Sequence, residues 1–344
     1  MLNSNLMQNI LIVTGIFPPR IGGPAQYAKE VRNEWQKGGH VVKVLTYRLE
    51  HFLPTGIRHF LFFLRTCLSI RDVDFIFALD TFSVGFPATL TAKLFGKKII
   101  TRTGGDFLWE GYVERTGDKV LLRDFYETRK DRLDFKEKII FHLTRWALVN
   151  NSAVIFSTKW QMNIFIKAYG LNPNRLYNIE NFYGEKIDSH PAVEKIFVAG
   201  TRPLKWKNLD KLSSVFSKIQ EKNPEIKVDL GTASYEIFLD KIKRSYAVIL
   251  VSLGDISPNM ILDAIRCNKP FIVTKETGIY DRIKDVAIFV DPENEEEIKD
   301  KILYLANDVN YANQVEKLEK FTFKHSWEEI CREILNIAEN VKNN

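Results

Sequence analysis

From Ile10 to Val290 the chain alternates short apolar runs with helix-length amphipathic stretches, and it does so in two successive blocks. In the first block Ile10–Thr14, Val41–Thr46, Phe75–Leu79, Lys98–Arg102, Ala153–Ser157 and Leu176–Ile179 read as strands. Most are near-continuous runs of Val, Ile, Leu and Phe, as expected of strands buried on both faces. Helices fit between them at Pro24–Lys37, Arg58–Ile70, Ser83–Phe95 and Val120–Asn150. The first of these puts Pro24, Ala28, Val31 and Trp35 on one face and stops at Gly38-Gly39. The second block repeats the pattern, with strands at Ile196–Ala199, Lys227–Leu230, Val248–Val251, Phe271–Val273 and Ala287–Val290. Its helices are Leu209–Gln220, Tyr235–Arg244 and Asn259–Arg266. Helices fill the tail, where Ser326 and Glu329 have the spacing of a capping box. Such alternation demands parallel sheets covered on both faces. The expectation is therefore α/β: two facing, Rossmann-like, doubly wound domains.

The blocks part near Asn181–Ala192, where polar residues, Gly184 and Pro191 break the pattern. The expected division is 1–182, 183–325 and a closing helix at 326–344. Doubly wound domains bind ligands at the C-terminal ends of their strands. A cleft between two such sets of loops is the default site.

Composition excludes several alternatives. With 45% hydrophobic and 27% charged residues, the chain is typical of soluble globular proteins. Cys67, Cys267 and Cys331 are far apart and form neither a disulfide framework nor a metal site, which points to a reducing compartment. Ile10–Val13 is too short for a signal core, and no run reaches the ~18 apolar residues that span a bilayer. A cytoplasmic protein is expected, peripheral at most to the inner face of a membrane. The net charge of +6 is uneven. Residues 1–180 carry 25 Lys and Arg against 16 Asp and Glu, whereas the remainder carries 24 against 27. A basic first half implies an anionic partner. No nucleic-acid-reading module accompanies it.

Four strand-end loops could carry chemistry. Gly15–Gly23 ends in Gly22-Gly23 at a helix start, where backbone N–H groups and the helix dipole favour an anion. It is neither GxGxxG nor a P-loop, and a tight strand-to-helix turn would explain it equally well. Gly200–Asn208 places Arg202 and Lys207 after a strand, with Lys207 expected to open the next helix. The dipole opposes a cation there unless an anion sits beside it. Two cations so placed can hold a diphosphate and stabilise it as it departs; the alternative is a solvated basic loop. Asp255–Asp263 has Pro258 at the expected first helical position, with Asp255 or Ser257 as cap. Its two carboxylates suit hydroxyls of a ribose and a hexose, and the N–H groups of Asn259 and Met260 suit a phosphate. The plainer alternative is a capped helix with Asp263 in solvent. Thr103–Glu110 can expose the Gly104-Gly105 backbone and set Asp106 in the cleft, or can be a simple turn. Asp72-Val-Asp74 resembles a metal-binding D-x-D pair but precedes its strand, so it belongs at the end of the sheet away from the loops. The six His show no metal-ligand spacing, and no metal site is expected.

Together these segments resemble the family 4 ("group 1") glycosyltransferases of GT-B fold, over a span from about Ile10 to the C-terminal helix. The most specific piece is Asp255-Ile-Ser-Pro-Asn-Met-Ile-Leu-Asp-Ala264, followed by Asn268–Thr274 and Thr277-Gly278. It is similar to the family's E-G-x-P-N-x-x-L-E-A, G-x-P-V-V-A-T and G-G block. Arg202 and Lys207 match the cations of G-R-L-x-x-x-K, and Gly22-Gly23 the N-terminal Gly pair. Glu180-Asn181 stands where the family's Pro-Asn ends a short strand. Phe323–Ile330 resembles the closing F-S-W-E helix, which in that fold returns to the N-terminal domain. Gly105-Asp106 with Trp109-Glu110 resembles the G-D-x-x-W-E of one branch.

The resemblance implies retaining, metal-independent transfer of a hexose from a nucleotide-diphosphate sugar, the only co-substrate expected, to a glycan or lipid-linked acceptor. It gives Arg202 and Lys207 the leaving diphosphate, Asp263 the ribose, Asp255 the donor sugar, and Gly23 a place beside the phosphates. Both glutamates of the family's E-x7-E are Asp here, each one methylene shorter, which alters reach at the donor. The family's common His is missing near Gly105. The span Gly231–Tyr246 is too short for the usual strand and helix, so the second domain looks trimmed by one βα unit. Two other functions fit the same architecture: a sugar-nucleotide-binding protein without catalysis, and a sugar-nucleotide epimerase. The epimerase would need an acid/base set near the donor that the sequence does not display.

Overall fold

The computed structural model describes residues 7–20, 22–199 and 203–342. In chain order the elements are β1 (Asn9–Thr14), α1 (Gly23–Lys37), β2 (Val41–Thr46), α2 (Ile57–Ser69), β3 (Phe75–Ala78), α3 (Gly85–Phe95) and β4 (Lys98–Arg102). There follow α4 (Phe107–Thr116), α5 (Leu122–Thr128), α6 (Phe135–Asn150), β5 (Ala153–Phe156), α7 (Lys159–Tyr169) and β6 (Leu176–Asn178). The remainder comprises β7 (Ile196–Val198), α8 (Leu209–Gln220), β8 (Lys227–Asp229), α9 (Tyr235–Arg244), β9 (Ala247–Leu250), α10 (Asn259–Arg266) and β10 (Phe271–Thr274). It closes with α11 (Tyr280–Ile283), β11 (Ile288–Val290), α12 (Glu295–Ala306), α13 (Asp308–Lys320) and α14 (Trp327–Asn340).

The chain divides into two compact units. The first contains Met1–Asp106, Leu133–Phe182 and His325–Asn344; the second contains Phe107–Arg132 and Tyr183–Lys324. Each holds one all-parallel sheet, ordered β2-β1-β3-β4-β5-β6 in the first and β8-β7-β9-β10-β11 in the second. Both orders are doubly wound, so the α/β expectation holds for each unit.

Each sheet has an apolar core on either face, the consequence of strands such as Ile10–Val13 and Ala247–Leu250 that are buried throughout. In the first unit one core joins Trp35 and Val31 of α1 to Ile330, Ile334 and Ile337 of α14 across β1, β3 and β5. The indole N–H of Trp35 donates to the Cys331 carbonyl at 3.3 Å, and Lys98 Nζ to the Ala338 carbonyl at 2.8 Å. The final helix thus belongs to the first unit. Ser326 and Glu329 form its capping box, as their spacing predicts.

Two differences from the sequence reading concern residues 107–150. A single long helix over Val120–Asn150 does not form. Asp134 and Glu137 make a capping box that starts α6 afresh, after α5 has ended at Thr128. The segment Phe107–Arg132, read as part of the first block, carries α4 and α5 and packs with the second unit. Between β8 and β9 there is only helix α9, in keeping with a trimmed βα unit.

Helix α2 buries His59, Phe62 and Thr66 and leaves Ile57, Phe60, Leu64 and Leu68 exposed, a stripe at helical spacing. Leu49 and Phe52, just ahead of it, are exposed too. Part of the apolar surface of His59–Ile70 is therefore not core. No helix among the described residues is long and apolar enough to cross a membrane.

Candidate functional site

In the second sheet β8 and β9 flank β7 on opposite sides, so the loops leaving β7 and β9 diverge. Doubly wound sheets bind ligands at such a switch point, at the C-terminal strand ends. The two loops singled out from sequence leave those two strands.

After β7, Lys205–Lys207 form a single 3-10 turn, and Asn208 takes a left-handed conformation (φ 59°) before α8 begins. Lys207 therefore precedes the helix instead of opening it. Asn208 is fully buried. Its amide donates to the Val251 and Pro292 carbonyls at 3.3 and 2.9 Å, and its oxygen accepts from Lys119 at 3.1 Å. These bonds hold a backbone geometry that Asn tolerates better than most residues. They also fix the direction in which Lys207 leaves the chain. Sequence reasoning missed this role, although an Asn directly before a helical pattern is a usable signal. Arg202, its proposed partner cation, lies outside the described residues.

After β9, the Lys207 ammonium meets Asp255 Oδ2 at 2.6 Å, with both side chains largely buried. Asp255 N donates to the Glu276 carbonyl and Gly278 N to the Asp255 carbonyl, tying this loop to the one after β10. The expected caps do not form. Pro258 itself is the N-cap of α10, and neither Asp255 nor Ser257 makes a side-chain cap. The Asp255 carboxylate pairs with Lys207 instead, and α10 starts at Asn259, one residue beyond the expected first helical position at Pro258. Asn259 and Met260 open α10, where backbone N–H groups have no intrahelical acceptor. Asp263 lies one turn further on and is 5% exposed, so it is not a solvated helix residue. Its Oδ1 accepts from Tyr235 Oη at 3.2 Å and pairs with Arg266 at 3.1 Å; burial pushes its pKa up.

Three buried donors in these loops lack any hydrogen-bond partner: Trp206 Nε1 after β7, Ser252 Oγ after β9 and Thr277 Oγ1 after β10. Buried polar atoms are rarely left so. Gln8, Tyr27, Arg102, Asn178 and Tyr183 hold other such atoms elsewhere, but these three stand at adjacent strand ends, where a polar ligand could supply acceptors. Ser and Thr are too common for the sequence to single these out.

Glu276, at the same strand ends, is 3% exposed and pairs with Arg123 at 2.9 Å. Burial pushes its pKa from the ordinary 4.5 up to about 7; Arg123 opposes the rise, and Asp124, Asp291 and Glu293 add to it. Between those two pH values the unfolded chain has released this proton and the folded chain retains it, so stability falls as pH rises. Glu276→Gln should remove that loss. We expect the variant to be more stable than wild type at pH 8, by about 1–3 kcal/mol, and unchanged at pH 4. Denaturant unfolding at the two pH values checks this; equal stability at pH 8 would mean that Glu276 ionises normally.

The remaining candidates belong to the first unit. Gly22 caps α1, and a Cβ there would sit 2.8 Å from Ile16 Cδ1, whereas one at Gly23 would meet nothing within 4 Å. The pair thus combines a close-packed turn with open space at a helix N-terminus. Asp106 follows β4 and is buried. The turn ahead of it is held by Gln161, whose amide donates to the Gly104 carbonyl at 2.9 Å. Asp74 sits at the opposite end of the strands, its carboxylate accepting from Asn9 N at the start of β1.

The sequence matches no family profile and no curated protein. Among solved structures the chain is similar to Anabaena HepE in complex with UDP and glucose, at 13% identity and a TM-score of 0.68. That likeness covers 97% of this chain and 100% of HepE. It is similar to the sucrose-phosphate synthase of Thermosynechococcus elongatus at 12% identity, TM-score 0.71, over 96% and 98% of the two chains. WaaG, a glycosyltransferase involved in lipopolysaccharide biosynthesis, matches at 10% identity, TM-score 0.67, over 96% and 100%. Such likeness establishes the fold: two Rossmann-like domains of GT-B type.

Proposed function

We propose that this protein is a retaining, metal-independent glycosyltransferase that moves a hexose from a nucleotide-diphosphate sugar to a glycan or lipid-linked acceptor. The observation that carries this reading is the Lys207–Asp255 pair at the switch point of the second sheet, with a buried, unpartnered donor in each of the loops after β7, β9 and β10. HepE, of the same fold, was captured with UDP and glucose, which favours a nucleotide-sugar donor of that kind. The family 4 resemblance of Asp255–Asp263 adds the expected roles. In this account the donor diphosphate takes Lys207 from Asp255, and the freed Asp255 turns to hydroxyls of the sugar. The N–H groups of Asn259 and Met260 meet a phosphate, Ser257 lies beside them, and Asp263 holds the ribose. Reaction breaks the bond between C1 and the diphosphate oxygen and forms one from C1 to the acceptor oxygen on the same face. The acceptor proton passes to the departing phosphate, whose charge Lys207 and Arg202 stabilise. A thermal-shift screen with UDP-, GDP- and ADP-sugars tests the donor assignment. One base series should raise the melting temperature by mass action; no response to any of the three contradicts it.

In this reading protein cations perform the work a metal does elsewhere. Transfer should proceed at an unchanged rate in EDTA. Complete loss, restored by a divalent cation, would refute metal independence.

We further propose that the first unit meets an anionic membrane surface on the inner side, where a lipid-linked acceptor would reside. The support is the exposed stripe Ile57, Phe60, Leu64 and Leu68, with Arg48, Arg58 and Arg71 about it. The one carboxylate of Leu49–Ser69, Glu50, is buried and paired with Arg65. Each basic residue near such a surface contributes about 1 kcal/mol, screened by salt. Binding to phosphatidylserine vesicles should be measurable at low salt and weaken as salt rises. Equal partition onto neutral vesicles, or none onto either, would favour a soluble acceptor.

A further inference from the structure

The loop that presents Lys207 is gripped by the inserted segment Phe107–Arg132 at nearly every neighbouring residue. Glu114 Oε1 accepts from Lys205 N at 2.6 Å, and Lys205 Nζ donates to the Glu114 carbonyl at 2.8 Å. Lys119 holds Asn208 at 3.1 Å. Leu122 N donates to the Leu253 carbonyl at 3.2 Å, two residues ahead of Asp255. At Gly254 a Cβ would lie 2.6 Å from Leu122 Cβ and 3.2 Å from Trp109 Cη2, so the segment rests directly on the backbone there. Between these anchors Trp109, 1% exposed, packs against Trp206 with ring centroids 5.5 Å apart. The Lys207 ammonium stands 4.2 Å from the centroid of the Trp206 ring.

Trp206 is thus a platform for the ammonium. Its indole N–H has no hydrogen-bond partner, so no directional bond fixes the ring. Packing has to set its orientation, and Trp109 is the aromatic side chain against it. We propose that Trp109 is a positioning residue for Lys207, acting through Trp206, and that the inserted segment is a working part of the donor site. The proposal rests on the reading of Lys207 as a ligand of the donor diphosphate. It assigns a role to a stretch of the chain that the sequence attaches to the other domain.

The test is a double-mutant cycle on the full chain, read by calorimetric titration with UDP, GDP or ADP, whichever raises the wild-type melting temperature most. Trp109→Ala should weaken binding about 10-fold in the wild-type background and less than about 2-fold in Lys207→Ala, because the two act through one contact. Trp109→Phe, which keeps an aromatic ring, should restore most of the affinity. Gly254→Ala provides an independent route. The added methyl pushes against Leu122 and should weaken binding similarly, and Leu122→Gly in the same chain should relieve it. Equal losses in both backgrounds, or unchanged affinity in Trp109→Ala and Gly254→Ala, would overturn the positioning role and leave the donor assignment standing. If Lys207→Ala binds as tightly as wild type, the donor assignment falls, and the proposal with it.

Discussion

Lys207→Ala is expected to lower sugar transfer by about 10²-fold or more, with the fold intact. Sequence and structure both place this ammonium at the switch point of the second sheet, beside Asp255. Its removal takes away one of the two cations assigned to the departing charge. Arg202→Ala, argued from its position after β7 in the sequence, should fall by a similar factor. Removing Lys207 also leaves Asp255 as a largely buried carboxylate without its cation, so circular dichroism must confirm folding before the rates are compared. Steady-state rates near wild type in both variants would show that the diphosphate is stabilised elsewhere.

The largest stability effect is expected at Trp35. The side chain is 1% exposed, packs edge-on against Phe75 and Phe77, and donates to the Cys331 carbonyl. It therefore joins α1, the sheet and α14 in one contact. Trp35→Ala should cost about 3–5 kcal/mol in denaturant unfolding, from lost burial and the cavity left behind. It also leaves the Cys331 carbonyl without that donor. A loss below 1 kcal/mol would mean that the closing helix is held by other contacts.

The fold was legible because buried parallel strands announce themselves. Ile10–Val13, Phe75–Leu79 and Val248–Val251 are apolar without interruption, and Gly38-Gly39 and the Ser326/Glu329 pair mark helix ends by local chemistry. The inserted segment was not legible. Its helices carry apolar faces that would suit either sheet, and nothing in Phe107–Arg132 says which neighbour it will choose. The Val120–Asn150 stretch misled for a related reason. The capping box at Asp134 and Glu137 has the right spacing, but it sits inside a longer run of helix formers. The candidate loops stood out in the sequence because Arg, Lys and paired Asp follow apolar strand runs, although a solvated basic loop or a capped helix would read the same way. The Lys207–Asp255 contact was not foreseen, since the residues are 48 positions apart. Ser257 or Asp255 was expected to cap α10; for the Asp255 carboxylate an ammonium within 3 Å is a stronger partner than a helix N-terminus.

The proposed donor site lies at the ends of β7, β9 and β10 in the second unit. Amide hydrogen exchange with and without the bound nucleoside diphosphate tests it most directly. Protection gained on binding should be concentrated in residues 203–209, 252–262 and 276–279, and Lys207→Ala should reduce it at equal ligand concentration. Protection confined to residues 15–23 and 79–85 of the first unit, with the second unit unchanged, would contradict it.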